Sequence, residues 1–418
     1  MSLPRGATVT TRIEASRLLP GRGPVVDDAV VVLEGSAIAY AGPAADAPSV
    51  PDAEVVTADT VMPGMWDCHV HVAGLVRLSL EDVFRVPAPL RAARATADID
   101  RALRAGFTSV RDAGGMGVAL GRAVAEGSIP GPHVYSANAL LSPTGGHADL
   151  HDIPLDWFHD IAARDGMLRV CDGIAGCMTA VREQLRVGAD IIKVCASGGV
   201  LTERDHPIHQ QFTDDELRAI VEVAGMAERT VMAHCHGKPG MMAAIEAGVG
   251  TIEHGTYLDD EVCDAMRERG TILVPTRMIV TELTAAGQGE LTPAMWSKLL
   301  ETNERHRDAV ALAHERGVTI ALGTDVAMSR PELPAAWGNH ARELPLLVDA
   351  GMTPLEALAA ATANAPATLG PRAPQSGQLV EGFDADVITV TGDPSSDVTV
   401  LTDAANITGV WKLGDAVR

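Results

Sequence analysis

The middle of the chain repeats one unit, a short apolar run followed by an amphipathic stretch, and this repetition constrains the fold more than any other feature. Runs of strand length recur at residues 108–110, 133–136, 191–194, 231–233, 251–252, 271–274 and 319–322. Helical periodicity fills the intervals, and Thr213 with Glu216 forms a capping-box pattern before one predicted helix. Because strands that alternate with helices pair in parallel, we predict an α/β fold with a (β/α)8 TIM-like barrel over residues 63–372.

A doubly wound open sheet is the alternative interpretation of this alternation. Such a sheet normally carries a glycine-rich phosphate-binding turn after its first strand. Here the first strand of the middle region is followed by His69-Val70-His71, which we interpret as its turn. The sequence therefore favours the barrel.

The two ends of the chain have a different pattern. Short runs typical of strands lie at 29–33 and 37–42 near the N-terminus, and at 386–390 and 407–411 near the C-terminus. Two β-rich ends around an α/β middle predict a small β-sandwich domain built from residues 1–62 and 373–418.

The net charge of −22 limits the partners of this chain. Neutralising phosphates needs a basic surface, so we expect a small-molecule substrate and no nucleic acid. The sequence has no apolar run of membrane-spanning length and no apolar signal core between Met1 and Gly21. The six cysteines form no Cys-x-x-Cys pair, which fits reduced thiols. We therefore expect a cytoplasmic protein without membrane contact, and the sequence is compatible with a homo-oligomer.

A candidate metal site begins in the first strand of the middle region. Alternate side chains of a strand share a face, so Asp67, His69 and His71 point the same way. Two imidazoles on one face can bind a divalent ion, although a core histidine explains a single His-x-His about as well. Asp67 is not needed as a ligand, and we expect it to orient a neighbouring group.

A lysine inside an apolar strand is the second unusual feature. Lys193 lies in Ile191-Ile192-Lys193-Val194-Cys195, and the chain has only four lysines among its 33 basic residues. Burying an ammonium costs several kcal/mol unless it is paired or neutralised. Desolvation lowers the pKa of the amine, and a neutral amine can react with CO₂ to give a carbamate, an anionic bridge suited to two cations. The alternative is a lysine that reaches solvent at a strand end.

Three further side chains of ligand type, His234, His254 and Asp325, each end an apolar run. In a parallel barrel the C-terminal ends of the strands converge on one face. Imidazoles, an anionic bridge and a carboxylate are the ligands that a pair of divalent ions requires, so the sequence predicts a two-metal site. Nearby, Arg111 and Asp112 at the end of the second strand are expected to form an internal ion pair.

Together these motifs resemble the amidohydrolase superfamily, in the branch with two metals bridged by a carboxylated lysine. The resemblance covers nearly the whole chain, including Gly-Phe-Asp-Ala-Asp-Val at 382–387. The sequences at 108–115, 193–200 and 252–255 are similar to those of the prolidase-like subgroup. That subgroup includes Xaa-Pro dipeptidases and carboxypeptidase-like enzymes acting on dipeptides and N-acyl amino acids.

The resemblance implies a hydrolase that cleaves an amide bond in such a substrate. The implied metal ligands are His69, His71, Lys193, His234, His254 and Asp325. The first two histidines and Asp325 would bind the more buried metal, the other two histidines would bind the second, and carboxylated Lys193 and a hydroxide would bridge them. Asp325 is the expected catalytic residue, which carries the proton of the attacking hydroxide to the leaving amine. Zn²⁺ is the favoured metal, and manganese, cobalt or iron fit the same ligands.

Candidates for substrate binding lie nearby: His147, His236, Gly199 and Val200. His147 belongs to residues 141–170, a stretch with little periodicity that we interpret as a long loop at the active face, although a surface histidine is equally consistent. His236, where many members of the subgroup carry Tyr, would contact substrate or make a structural hydrogen bond. Backbone N–H groups at Gly199 and Val200 would bind a carboxylate or belong only to a tight turn.

Three rival functions share the predicted barrel. A mononuclear deaminase would lack the lysine and carry His-x-x-Glu where this chain has His236-Gly237-Lys238-Pro239. Hydrolysis of a lactone, cyclic imide, aryl urea, carbamate or phosphotriester would use the same metal site. A catalytically silent relative would have lost ligands, whereas all six expected positions are present.

Overall fold

The computed structural model describes residues 10–77 and 79–418. Its strands are β1 (Thr11–Leu18), β2 (Val26–Glu34), β3 (Ala37–Pro43), β4 (Glu54–Pro63), β5 (Met65–Leu75), β6 (Phe107–Asp112), β7 (His133–Ser136), β8 (Leu140–Ser142), β9 (Leu168–Val170), β10 (Ile192–Cys195), β11 (Val231–Cys235), β12 (Thr251–His254), β13 (Ile272–Val274), β14 (Val326–Met328), β15 (Val387–Val390), β16 (Ile407–Lys412) and β17 (Asp415–Ala416). Its α-helices are α1 (Asp82–Arg85), α2 (Ala88–Arg104), α3 (Gly117–Ala125), α4 (Leu155–Asp165), α5 (Gly173–Val187), α6 (Asp214–Met226), α7 (Lys238–Ala247), α8 (Asp260–Arg269), α9 (Arg277–Ala286), α10 (Pro293–Glu315), α11 (Glu343–Asp349) and α12 (Pro354–Ala360).

The strands from the two ends of the chain pair with one another. They form a seven-stranded sheet in the order β17-β16-β15-β4-β1-β2-β3, in which β4 lies between β1 and the C-terminal β15. Strands from both ends of the chain therefore belong to one sheet. A two-layered sandwich and the boundaries at 62 and 373 stay predictions, and residues 1–9 of that predicted domain lie outside the described residues.

The strands of the middle region pair in parallel and form two sheets. Their orders are β14-β5-β6-β7 and β13-β12-β11-β10-β8-β9. Further backbone hydrogen bonds run from the N–H of Asp190, two residues before β10, to the oxygen of Ser136 in β7, and from the N–H of Cys68 in β5 to the oxygen of Leu322. The parallel α/β arrangement is thus confirmed, and closure into an eight-stranded barrel stays a prediction. The predicted strand at 319–322 is reduced to one bridge, between Ile320 and Leu273, because the N–H of Leu322 bonds to Ala360.

The interpretation of His69-Val70-His71 as a turn is wrong. These residues lie inside β5, which continues through Leu75 and pairs with β6 on one side and β14 on the other. The strand continues because Val70, Val72 and Leu75 are apolar and fully buried between neighbours.

The interpretation of residues 141–170 as a long loop is also wrong in part. The stretch contains the end of β8, helix α4 and strand β9, and β9 pairs in parallel with β8. Phe158 anchors α4 by packing edge-to-face on Phe84, and Gly166 ends the helix in the left-handed conformation at φ 81°. Only residues 143–154 remain as a connection at the edge of the site.

Two further expectations concern the helices and the cysteines. Helix α6 begins with the predicted capping box, in which Thr213 and Glu216 each bond the backbone N–H of the other. All six cysteines are free and buried. Within the described residues, no helix has the length and apolar character needed to cross a membrane.

Candidate metal centre

The predicted metal ligands come from the parallel strands and from the residue before one of them, and they lie close together. His69 and His71 come from β5, Lys193 from β10, His234 from β11 and His254 from β12, and Asp325 directly precedes β14. Among the described residues, two sets have ligand atoms within 4.8 Å of one another: His69 with His71 and Asp325, and His234 with His236 and His254. The rings of His69 and His254, one from each set, are 5.1 Å apart, so the two sets are adjacent.

The first set combines two imidazoles with a carboxylate. Asp325 Oδ1 lies 3.2 Å from His71 Nε2 and 3.7 Å from His69 Nε2. Burial opposes ionisation of Asp325, but the two histidines outweigh it and bring the pKa of Asp325 down to about 2. Burial also lowers the pKa of His69, which favours the neutral imidazole that metals bind.

The second set contains three imidazoles and includes His236, for which the sequence predicted a substrate contact or a structural hydrogen bond and not a metal ligand. Strand β11 and the residue after it place His234 and His236 at alternate positions, hence on one face. The rings of both lie within 5 Å of the ring of His254, at 4.6 and 4.8 Å. Burial lowers the pKa of His236 to about 3 and the pKa of His234 and His254 well below the usual value.

Lys193 is buried beside the first set, with only 1% of its surface exposed. Its Nζ lies 3.3 Å from His69 Nε2. Burial lowers the pKa of the Lys193 amine, although Glu253 and Asp325 oppose this. The residue is therefore not a lysine that reaches solvent at a strand end.

Each of the four predicted histidine ligands has one ring nitrogen held by the protein. Nδ1 pairs with Glu253 in His69, with the oxygen of Gly114 in His71 and with Thr276 in His254, at 2.7, 2.8 and 2.7 Å. In His234 the held nitrogen is Nε2, 3.2 Å from the oxygen of Gly198. Nε2 of His69 and Nε2 of His71 instead face Lys193 and Asp325, so one nitrogen of each ring is held by the protein while the other faces a further candidate ligand.

The backbone is strained at three positions of the centre. His254, Thr276 and Asp325 have φ values of 73°, 55° and 62°, in the left-handed region that side-chain-bearing residues rarely adopt. Such strain costs on the order of 1–3 kcal/mol for each residue and is concentrated at functional sites. Here it accompanies two of the predicted ligands and the threonine that orients one of them.

Glu253 and Arg111 are functional candidates that sequence analysis did not assign. Glu253 Oε2 lies 2.7 Å from His69 Nδ1, and Arg111 Nη2 lies 2.7 Å from Glu253 Oε1. The predicted ion pair between Arg111 and Asp112 is wrong, because neighbouring strand residues face opposite sides. Asp112 instead accepts hydrogen bonds from the Ser136 hydroxyl and the N–H of Val72.

Asp67 forms hydrogen bonds with the segments that carry the first set of ligands. Its Oδ1 accepts the N–H groups of His69 and Thr324, both at 3.1 Å, and its Oδ2 lies 2.7 Å from His340 Nδ1. This is the orienting role expected from the sequence, and Asp67 is not a member of either set of ligands.

His147 and the loop that begins at Gly199 lie next to the second set. The His147 ring stacks on His234 at 4.3 Å, and its Nδ1 lies 3.0 Å from Thr202 Oγ1 and 3.4 Å from Asp205 Oδ2. A Cβ on Gly199 would lie 1.9 Å from His147 Cε1, so only glycine fits beneath this ring. The N–H of Gly199 donates to Asp205 Oδ2 at 2.8 Å. This N–H therefore belongs to a tight turn and does not face a substrate.

One cavity of about 410 Å³ opens over both sets of ligands. Its lining includes His147, Val200 and His236 from the predicted substrate residues, together with Lys193 and Asp325. The volume suits a small organic ligand.

Comparison with known proteins agrees with this architecture. Residues 60–417 match the amidohydrolase family. The chain is 41% identical over 421 residues to ochratoxinase of Aspergillus niger, covering 97% of this chain and 86% of that protein. The crystal structure of A. niger ochratoxinase has a TM-score of 0.90 at 38% identity, over 99% of this chain and 96% of that one. A prolidase complexed with N-methylphosphonate-L-proline has a TM-score of 0.89 at 32% identity, over 98% and 100%.

The fold and the similarities define a mixed α/β hydrolase. The chain belongs to the amidohydrolase family, whose structures have a TIM-like barrel. The resemblance inferred from the sequence motifs is thereby confirmed.

Proposed function

We propose that this protein is a metal-dependent hydrolase that cleaves an amide bond in a small molecule, with dipeptides and N-acyl amino acids as the substrate class. The observation that carries the proposal is the contact of buried Lys193 with His69, at a cavity that both sets of candidate ligands line. The similarity to ochratoxinase and to a prolidase complexed with a proline derivative supports the same class.

The donor set fits two divalent ions of borderline softness, because imidazole and carboxylate oxygen are the ligands that zinc prefers. His69, His71 and Asp325 would hold one ion, and His234 and His254 the other, with Lys193 as a carbamate between them. Bound ions would supply Lewis acidity and lower the pKa of a water molecule between them. His236 offers a further nitrogen to the second ion or to the substrate.

The side chains around the ions would position and protonate the substrate. Asp325 is the proposed catalytic residue, since its carboxylate faces the cavity and can accept a proton and return it to the leaving amine. His147 is proposed to contact the substrate through Nε2, because Thr202 and Asp205 already hold Nδ1. Val200 supplies an apolar contact at the same edge of the cavity.

A substrate screen with metal analysis tests the proposal. Protein loaded with zinc in the presence of bicarbonate is assayed on dipeptides and N-acyl amino acids, with lactones, aryl ureas and phosphotriesters as comparison compounds. We expect amide turnover that is lost on chelation and recovered with zinc. A preparation that stays inert after zinc and bicarbonate are restored would overturn the proposal. If turnover were confined to lactones, aryl ureas or phosphotriesters, the proposed amide substrates would be wrong.

A further inference from the structure

Part of the cavity lining is formed by apolar side chains from α9, the segment that follows it and the beginning of α10. This apolar wall consists of Ile279, Val280, Leu283, Leu291, Met295 and Leu299. The wall is contiguous with the metal centre, because α9 begins next to Thr276, which bonds His254 Nδ1. A group bound at the centre is therefore within reach of the wall.

A second group of apolar side chains, from another hydrophobic cluster, also lines the cavity. It consists of Leu75, Leu140, Leu150, Met167 and Met328. Polar groups near the mouth are engaged within the protein: Arg77 pairs with Asp82, Glu203 accepts the Thr292 hydroxyl, and Asp152 pairs with Arg204. Two further charged groups of the lining, Arg85 and Glu290, are exposed to solvent.

This lining is poorly matched to a small polar dipeptide. The cavity has a volume of about 410 Å³. A substrate that occupied only the metal centre would leave the apolar wall and the second apolar group in contact with water. Apolar surface gains free energy when an apolar group covers it. A polar substituent that lay against these aliphatic side chains would lose its hydrogen bonds to water without gaining new ones from them.

We infer that the apolar wall binds a bulky aliphatic or aromatic substituent of the substrate, so that large hydrophobic amides are hydrolysed in preference to small polar ones. This inference rests on the proposed amide hydrolysis and names the chemistry that selects among amides. Each methylene buried against the wall should raise kcat/KM roughly fourfold.

Two matched series test the inference with the zinc-loaded protein. One varies the acyl chain of N-acylalanine from acetyl to octanoyl, and the other varies the C-terminal residue of glycyl dipeptides from alanine to tryptophan. We expect kcat/KM to rise at least about tenfold along one series, which also identifies the side of the scissile bond that faces the wall.

Substitution of the wall identifies where this preference arises. Met295→Gln keeps the side-chain length and places an amide in the wall, so the ratio of kcat/KM for the largest compound to that for the smallest should fall several-fold. Leu300→Gln is the matched control, because Leu300 follows on the same helix, is 42% exposed and does not line the cavity. Thermal melting verifies that both variants are folded.

The outcomes separate this inference from the proposed function. A flat response along both series, with measurable turnover, would overturn the inference and leave amide hydrolysis standing. A folded Met295→Gln variant that kept the wild-type ratio would also overturn the role of the wall. Absence of turnover for every compound would overturn both.

Discussion

Glu253 and His69 form a fully buried pair, with Oε2 of the carboxylate 2.7 Å from Nδ1 of the imidazole. Burial raises the pKa of Glu253, but the Arg111 guanidinium and the hydrogen bond to His69 outweigh it and hold that pKa at about 2. An ionised Glu253 keeps the proton of His69 on Nδ1, which directs the Nε2 lone pair towards Lys193 and Asp325.

Replacing Glu253 with glutamine should weaken both metal binding and the fold. Glu253→Gln can still accept the His69 hydrogen bond, but it leaves the Arg111 charge buried without a counter-ion. We expect metal affinity to fall roughly 10- to 100-fold and the free energy of unfolding to fall by about 3–5 kcal/mol. Competition with a chelator and urea denaturation measure the two effects. A variant with wild-type affinity and stability would contradict the orienting role.

Replacing Lys193 with alanine should abolish turnover and reduce the metal content. The substitution removes the proposed bridge while leaving the histidines in place. Lys238→Ala is the matched control, since Lys238 is a half-buried lysine that pairs with Asp259 and Glu261 and does not line the cavity. Elemental analysis and an amide-hydrolysis assay provide the two measurements, and ¹³C NMR of wild-type protein prepared with ¹³C-bicarbonate should reveal a carbamate. If Lys193→Ala kept activity and metal near wild type, the bridge would be excluded.

The order of strands and the positions of the metal-ligand candidates could be predicted because both are local patterns. His69, His234 and Asp325 each follow apolar residues of strand length, and parallel strands present their ends on one side. The end of β5 could not be placed in this way, because apolar residues continue through Leu75 and nothing in the sequence marks a stop.

Contacts between distant strands were not predictable from spacing. His236 reaches His254 through the parallel register of β11 and β12, in which Cys235 pairs with His254. Glu253 could have been singled out from the sequence, since a carboxylate inside an apolar strand is as unusual as Lys193 in its own strand. Its partner Arg111 lies 142 residues away, and only the folded chain identifies that pair.

Replacing Lys298 with methionine should loosen the loop that holds His147. Lys298 Nζ donates to the oxygens of Gly199, Thr202 and Asp205, at 2.9, 2.5 and 3.1 Å. Lys298→Met removes these donors, so we expect a loss of about 1–3 kcal/mol in stability and a rise in KM. The metal content should not change, because Lys298 contacts no proposed ligand. An unchanged KM in the folded variant would show that the loop does not position the substrate.

Asp98 should make stability depend on pH in the acidic range. The carboxylate is fully buried on α2 and accepts hydrogen bonds from Arg101 and from the Ser329 hydroxyl, both at 2.6 Å. Burial dominates over these contacts and raises the pKa of Asp98 from 3.8 to about 6. Between these values the folded protein keeps a proton that the unfolded chain has lost. Its stability therefore falls as pH rises from about 4 to 6, and changes little from this cause above that range.

The substitution Asp98→Asn removes this titration. The free energy of unfolding of the variant, relative to wild type, should increase by up to about 3 kcal/mol between pH 4 and pH 7. Urea denaturation at four pH values across this range measures the difference. Asp100→Asn is the control on the same helix, because Asp100 is only partly buried and pairs with the exposed Arg104. A difference between Asp98→Asn and wild type that stayed constant with pH would mean that the proton is lost from Asp98 at the same pH in both states.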